Sequence, residues 1–231
     1  MNNLLNSYIH LTDGPDRVFP FGGFTAGDIC LKDIALALSR QVRFNGLSSI
    51  TGRRPLTVAQ HCLILKDMMI TWEEKVWALL HDAAETYIGD IPHPLKNHLY
   101  LHLQTLEQKE VGATMELMSI RQFEEKVLMA VAEQFDLPWP IPPNVLTWDR
   151  DLGEMELAYL TDKNEKLPTP GGLIAVLDDH EIRECFLEDV NSLFITRNRS
   201  GPPVGKSDVL AWKDSPVRVD PSQTGTETVG G

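Results

Sequence analysis

Residues 57–96, TVAQHCLILKDMMITWEEKVWALLHDAAETYIGDIPHPLK, decide the fold of this 231-residue chain. Thr57 with Gln60, and Thr71 with Glu74, each pair an N-cap residue with the side chain three positions later that closes a capping box, so two helices are expected to start there. The first carries His61 and the second carries His81 and Asp82. On the second, Val76, Leu79, Leu80, Ala83 and Ala84 recur at helical spacing and form an apolar stripe, which sets the His-Asp pair close to the buried side. A carboxylate there needs a partner, because an unpaired buried charge is costly or is removed by a pKa shift. Two imidazoles and a carboxylate around a divalent cation compensate one another.

Outward from this stretch, the length suits one well-cored domain. No apolar run approaches a membrane span, and the N-terminus MNNLLNSYIHLTDGPDR lacks a basic region followed by an apolar core, so a soluble, cytoplasmic protein with no membrane partner is expected. Cys30, Cys62 and Cys185 have no paired spacing of a disulfide framework or thiolate zinc site, in keeping with a reducing compartment. The formal net charge of −12 argues against a nucleic-acid partner, which would call for a basic footprint. The acidity is uneven: residues 1–100 hold nine Lys/Arg against ten Asp/Glu, and residues 101–199 hold nine against nineteen. Arg43, Arg53, Arg54 and Lys96 lie near the histidine stretch, so a local cationic cleft for a small phosphate ligand is compatible with the overall charge.

Residues 1–27, rich in turn formers, are expected to be irregular and packed against the domain. Asp33 is the expected cap of a short helix through Arg40, with Ile34, Ala35 and Leu38 as its buried face. The loop RFNGLSSITGRRP leads from Arg43 to Pro55 directly into the helix bearing His61. Prolines 92 and 94 interrupt the chain after Asp90, and Lys96 falls near the start of the next helix. From Leu95 to about Phe135 the pattern reads as helical, with Leu99, Leu103 and Leu106 on one face and Gly112 and Ser119 as candidate breaks. A helix starting at Pro143 or Asn144 carries Asp149 and Glu156, seven apart and hence on one face. A last helix is expected from about Asp178 to Phe194, striped by Ile182, Phe186, Val190 and Leu193. No strand alternation stands out. The expectation is an all-α bundle of about six to eight helices over residues 1–199, followed by a disordered tail from Ser200 to Gly231 in which Trp212 is the sole aromatic residue.

The order His61, then His81-Asp82 about twenty residues on, then a distant aspartate resembles the H…HD…D signature of the HD-domain metal-dependent phosphohydrolases. Within that superfamily the chain is most similar to the branch of 5′-deoxynucleotidases and phage deoxynucleoside triphosphate triphosphohydrolases. Arg43-Phe44-Asn45-Gly46, Val58-Ala59-Gln60-His61, His81-Asp82-Ala83-Ala84-Glu85, Gly89-Asp90-Ile91-Pro92 and Pro94-Leu95-Lys96 carry the likeness, which spans roughly residues 25–160. It implies the HD-domain helical bundle, with His61, His81, Asp82 and Asp149 as ligands of a divalent metal ion. Such a nitrogen and oxygen set suits Mn, Fe, Co, Ni or Zn, with Mg also a candidate. Asp149, rather than the nearby Asp151, matches the distant aspartate, and Glu156 matches a downstream glutamate. Glu85 is implied to orient or deprotonate the attacking water, with Asp90 assisting near the ester or sugar. Arg43 and Lys96 are implied to hold phosphate, and Phe44 to line the sugar or base. His93, His98, His102 and His180 match no such role, and Cys62 reads as a small core residue.

The expected function is metal-dependent hydrolysis of a deoxynucleotide at its 5′-phosphoester. Arg53 and Arg54 could meet the further charge of a triphosphate, which tilts the expectation toward dATP, giving deoxyadenosine and tripolyphosphate. The alternatives are a 5′-deoxynucleotidase acting on monophosphates and a non-catalytic nucleotide-sensing module. Hydrolysis of cyclic or stringent-response nucleotides, which shares the metal site, resembles this sequence less. The partner is a small deoxynucleotide, a homo-oligomer is compatible, and a phage-encoded protein would work in the host cytoplasm.

Overall fold

The computed structural model describes residues 8–10, 18–50, 52–103, 116–168, 174 and 177–200. Its architecture is all-α, as expected, with two small antiparallel hairpins added. The helices are α1 Leu31–Arg40, α2 Val58–Asp67, α3 Trp72–Leu80, α4 Glu85–Ile88, α5 His93–Lys96, α6 Ile120–Gln134, α7 Pro143–Thr161 and α8 Asp179–Ser200. The strands are β1 Tyr8–His10, paired with β2 Val18–Pro20, and β3 Tyr100–Leu103, paired with β4 Glu116–Ser119. Among the described residues no helix is long and apolar enough to cross a membrane.

Local chemistry starts the helices where the sequence implies. The Thr57 hydroxyl accepts from the Gln60 N–H at 3.2 Å while the Gln60 side chain accepts from the Thr57 N–H at 2.8 Å, and Thr71 with Glu74 repeats the arrangement. Each box satisfies two backbone donors that the first helical turn leaves free. Ser119 and Gln122 close a third box at the start of α6, so the expected break at Ser119 is a helix start. α1 begins two residues before the expected cap: Cys30 stands at the cap and Asp33 is buried in the first turn, although Ile34, Ala35 and Leu38 are buried as anticipated.

Two readings need correction. Residues 1–27 are not wholly irregular, since β1 and β2 pair and Phe19 on β2 is fully buried, its ring stacked on Tyr87 with centroids 3.7 Å apart. Residues 95–119 are not a continuous helix. Leu99 and Leu103 stand four apart, but residues 100–103 form a strand in which Leu101 pairs with Met118. Exposure there follows a period of two: Tyr100 and Leu117 are exposed, Leu101 is half-buried and Met118 is buried. Leu106 and Gly112 lie outside the described residues. So does the expected tail with Trp212, except that Ser200 ends α8, which runs on past Phe194.

The core is one cluster in which α2 packs on α3, α1 packs on α2 and α8, and α7 packs on α2 and α3. α7 positions much of the site. Asp149, Leu152 and Glu156 share one face of it, and Leu152, fully buried between the two carboxylates, anchors that face. Leu152→Ala is expected to lower stability by about 2–5 kcal/mol, the range for large-to-small core changes, read from the midpoint of urea unfolding.

Candidate functional site

Three regions distant in sequence meet at one cavity of about 390 Å³, lined by Arg43, Phe44 and Asn45, by Asp82, Glu85, residues 90–94 and Lys96, and by Asp149. His61, in the second turn of α2, is fully buried, and its ring centroid lies 5.4 Å from that of His81. His81 caps α3. From there the chain tightens, with Ala83 N–H donating to Leu80, Glu85 to Asp82, Thr86 to Ala83 and Tyr87 to Ala84, each to the carbonyl three residues back. The second helix therefore does not run as a regular α-helix through Asp82. It passes into a 3₁₀-like turn, which is narrower than an α-helix, before α4.

The two imidazoles are prepared alike. His61 Nδ1 lies 2.9 Å from Glu156 Oε1, and His81 Nδ1 lies 2.9 Å from the carbonyl oxygen of Ala78. Both partners are acceptors, so each Nδ1 carries the hydrogen and each Nε2 faces inward. His61 Nε2 is 3.0 Å from Asp149 Oδ1, and His81 Nε2 is 3.6 Å from that same oxygen and 3.2 Å from Asp82 Oδ2. These two Nε2 atoms and Asp82 Oδ2 are buried without a well-formed hydrogen bond.

The charges explain the titration. Burial and Arg43 oppose protonation of His61, but Glu156 and Asp149 outweigh them and hold its pKa above the ordinary imidazole value. Burial likewise opposes protonation of His81, and Asp82 and Asp149 are among the groups that raise it well above that value. Asp149 is held far below the usual carboxylate range, against its burial, by the two imidazoles that face its Oδ1. Asp82 is also lowered, with burial opposing and His81 pulling it down. Protons on the imidazoles are thus the counter-charge that the carboxylates demand. A divalent cation among His61, His81, Asp82 and Asp149 would supply the same counter-charge, and two nitrogen and two oxygen donors fit a borderline or hard divalent ion. Cys62 comes near His81 and Asp82, but burial pushes its thiol up to about 11, so it stays protonated and remains a core residue.

Glu85 is buried at the other side of this cluster. Burial, then Asp82 and Asp90, push its pKa up to about 9 against the pull of Lys96 and Arg43. Its Oε1 lies 3.3 Å from Lys96 Nζ, and its Oε2 has no hydrogen-bond partner. Asp90 is half-buried on the same cavity, raised first by burial. Gly89, at φ +79° and ψ 168°, turns the chain from α4 into Asp90 in a conformation open essentially to glycine alone. Phe44 and Asn45 both adopt the left-handed conformation, at φ 54° and 53°, in a short 3₁₀ turn, Arg43–Gly46, and the Arg43 guanidinium lies 5.5 Å from the Phe44 ring centroid.

Two residues expected to contact substrate lie elsewhere. Arg53 donates to the carbonyl oxygens of Tyr159, Asp162 and Lys163 and sits 4.4 Å over the Tyr159 ring, so its guanidinium caps the C-terminus of α7, where free carbonyls attract a cation. Arg54 is exposed, and neither arginine lines the cavity. Asp151 pairs with Arg150 on the surface, at 2.8 Å, while Asp149 joins the histidines. His93, given no role from sequence, lines the cavity and lies 2.7 Å from Arg121 Nη2. Three supporting residues were not assigned roles beforehand. Glu124 on α6 holds Lys96 at 2.6 Å, Gln41 donates to the Glu85 carbonyl at 2.8 Å, and fully buried Glu156 reaches His61 and Arg43. Only Glu156 left a signal, its spacing of seven from Asp149 and its match to the downstream glutamate of the pattern that the sequence resembles.

No family model matches the chain. A protein described as "Uncharacterized protein YfdR" from Escherichia coli (strain K12) is 32% identical over 120 residues, which cover 52% of this chain and 54% of that protein. The chain thus spans about half the length of the curated relative it matches.

Two glycines offer opposite tests of this geometry. Gly89→Ala is expected to cost about 1–3 kcal/mol, the range for a side chain held in such a backbone region. Gly153, inside α7, would place a Cβ 3.7 Å from Arg43 Nη2, an ordinary contact. Gly153→Ala is therefore expected to add about 0.5–1 kcal/mol through helix propensity. Thermal melts of the two variants check both signs.

Proposed function

We propose that the chain is a metal-dependent phosphohydrolase acting on the 5′-phosphoester of a deoxynucleotide, with a monophosphate as its substrate. The observation that carries this reading is the meeting of buried His61 and His81 with Asp82 and Asp149 at a cavity that these two carboxylates line together with Glu85, Arg43 and Lys96. Its likeness to the H…HD…D pattern is the reason for naming a phosphoester and a deoxynucleotide.

A divalent cation held by these four side chains, whether Mn, Fe, Co, Ni, Zn or Mg, would lower the pKa of a water and draw charge from a phosphoryl oxygen. The protein's own groups divide the remaining work. Arg43 and Lys96 are the strongly basic side chains of the cavity lining, and together they match the charge of a single phosphate group. Glu85 is the group placed to take a proton from the attacking water, since its Oε2 is uncommitted while Lys96 holds Oε1. Burial, Asp82 and Asp90 outweigh Lys96 and Arg43 and favour the protonated form of Glu85, so a cation held at Asp82 would cancel the main charge that raises it and free the carboxylate to take the proton. Asp90 and Phe44 line the same cavity and are positioned for the sugar and base.

The position of Arg53 and Arg54 favours a monophosphate over dATP. Two cations suffice for one phosphate, whereas a triphosphate would bring charge that neither of these arginines is placed to meet. A single experiment tests the reading: purified chain incubated with each dNMP and dNTP in Mn, Co or Mg, with products separated chromatographically. Deoxynucleoside and orthophosphate are expected from monophosphates. Release of intact tripolyphosphate from dATP as the main reaction would reverse the preference, and no hydrolysis under any of these metals would overturn the enzyme reading in favour of a nucleotide-sensing module.

Variants sharpen the assignments. Asp82→Ala is expected to lose bound metal and nearly all hydrolysis while circular dichroism stays helical. Glu85→Gln should keep the metal and lose roughly 10²–10⁴-fold in rate. Arg53→Ala should lower the melting temperature through the lost α7 cap and leave the turnover of a monophosphate by folded protein unchanged.

A further inference from the structure

His61 is bracketed by two carboxylates from one helix. Asp149 Oδ1 faces its Nε2 at 3.0 Å and Glu156 Oε1 faces its Nδ1 at 2.9 Å. The second oxygen of Glu156 lies 2.9 Å from Arg43 Nε, and Glu156 itself is fully buried. An ionised carboxylate only accepts hydrogen bonds. It therefore requires a hydrogen on His61 Nδ1, which in the neutral ring leaves the lone pair on Nε2, the atom turned toward Asp149. Its other oxygen forms an ion pair with Arg43 Nε without hydrogen-bond alignment, and the Nη atoms remain: Nη1 is 3.6 Å from Asp82 Oδ2 and Nη2 lies beside Gly153. One side chain thus meets both a candidate metal ligand and a candidate phosphate-binding arginine. A buried charge of this kind is expensive to keep unless both of its oxygens are used.

We propose that Glu156 is the positioning residue that couples the metal site to the phosphate site, setting the tautomer of His61 and the orientation of Arg43 with the two oxygens of one carboxylate. This rests on the phosphohydrolase reading of the cavity. Glu156 touches neither cation nor substrate in this role. It acts through the imidazole and the guanidinium.

Its chemistry makes an isosteric variant informative. The amide of Glu156→Gln has one acceptor atom and one donor atom where the carboxylate has two acceptors. If the amide oxygen faces His61, the NH₂ opposes Arg43 Nε–H and Arg43 is displaced. If the amide oxygen faces Arg43, the NH₂ demands a lone pair at His61 Nδ1 and the hydrogen moves to Nε2. Either way one function survives and the other is damaged. Glu156→Ala removes both acceptors and should damage both.

The measurements are Zn²⁺ and Mn²⁺ binding by calorimetry, orthophosphate binding to the Zn²⁺-loaded protein, and ¹⁵N chemical shifts of His61. In Glu156→Gln one affinity, for cation or for orthophosphate, is expected to fall about 10- to 100-fold, the usual effect of removing a partner that orients a ligand. The other should change little, and in Glu156→Ala both should fall. Folded Glu156→Gln with both affinities within about twofold of the parent would overturn the proposal. Should the variants fail to fold, the parent decides: a Zn²⁺-loaded parent whose His61 Nδ1 carries no hydrogen overturns it, and one whose Nδ1 is protonated supports it. A parent that binds neither cation nor phosphate would sink this proposal and the function together. Binding that follows the pattern above, without hydrolysis of any nucleotide, would sink only the function.

Discussion

Negative charge out of water is the constraint on which the arrangement depends. Asp82, Glu85, Asp149 and Glu156 stand close together, and Glu85 and Glu156 are buried within the helical layer. Carboxylates in such surroundings persist only with counter-charge or with a proton. The structure uses both. Asp82, Asp149 and Glu156 are paired with His61, His81 and Arg43 and stay ionised, whereas Glu85, least compensated, is pushed up the pH scale. The long-range ion pairs of the site answer this electrostatic demand.

Meeting it requires the backbone to leave regular geometry in three places. α3 tightens after His81, so that His81, Asp82 and Glu85 are presented within a single short turn. The left-handed pair Phe44 and Asn45 follows Arg43, and Gly89 redirects the chain before Asp90. These conformations cost free energy and persist where the surroundings over-determine them. Here the surroundings are firm: Arg43 N–H donates to Leu56, Leu47 N–H to Phe44, and Val42 bridges to Thr57 at the head of α2. Irregular backbone thus borders the cavity while the regular helices behind it bear the packing.

The contrast between Arg43 and Arg53 shows how little sequence proximity says about a charge. Both lie in the loop that leads to His61. Arg43 turns inward, to Glu156 and Asp82, while Arg53 turns toward the C-terminus of α7 and the carbonyl oxygens of Tyr159, Asp162 and Lys163. The proposed preference for a monophosphate rests on this division and on no feature of the loop's composition.

Capping boxes at Thr57 and Thr71, the buried stripe of α3, the all-α class and the pairing of Asp149 with Glu156 on one face were all legible in the sequence, because each depends on residues within about two helical turns of one another. The β3–β4 hairpin was not, since Leu99 and Leu103 fit a helical period equally well. Only the pairing of Leu101 with Met118 across the intervening chain decides for a strand. The same holds for the start of α1, where Cys30 precedes the better capping residue Asp33 and burial of Asp33 decides the boundary. Which carboxylate meets which imidazole, with His61 and Glu156 95 residues apart, is likewise a tertiary result. Glu124 beside Lys96 and Gln41 beneath Glu85 belong with it. Local rules act through short backbone geometry and can be read along the chain, whereas the partner of a buried charge is whichever opposite charge or donor the packing of α2, α3 and α7 brings within about 3 Å.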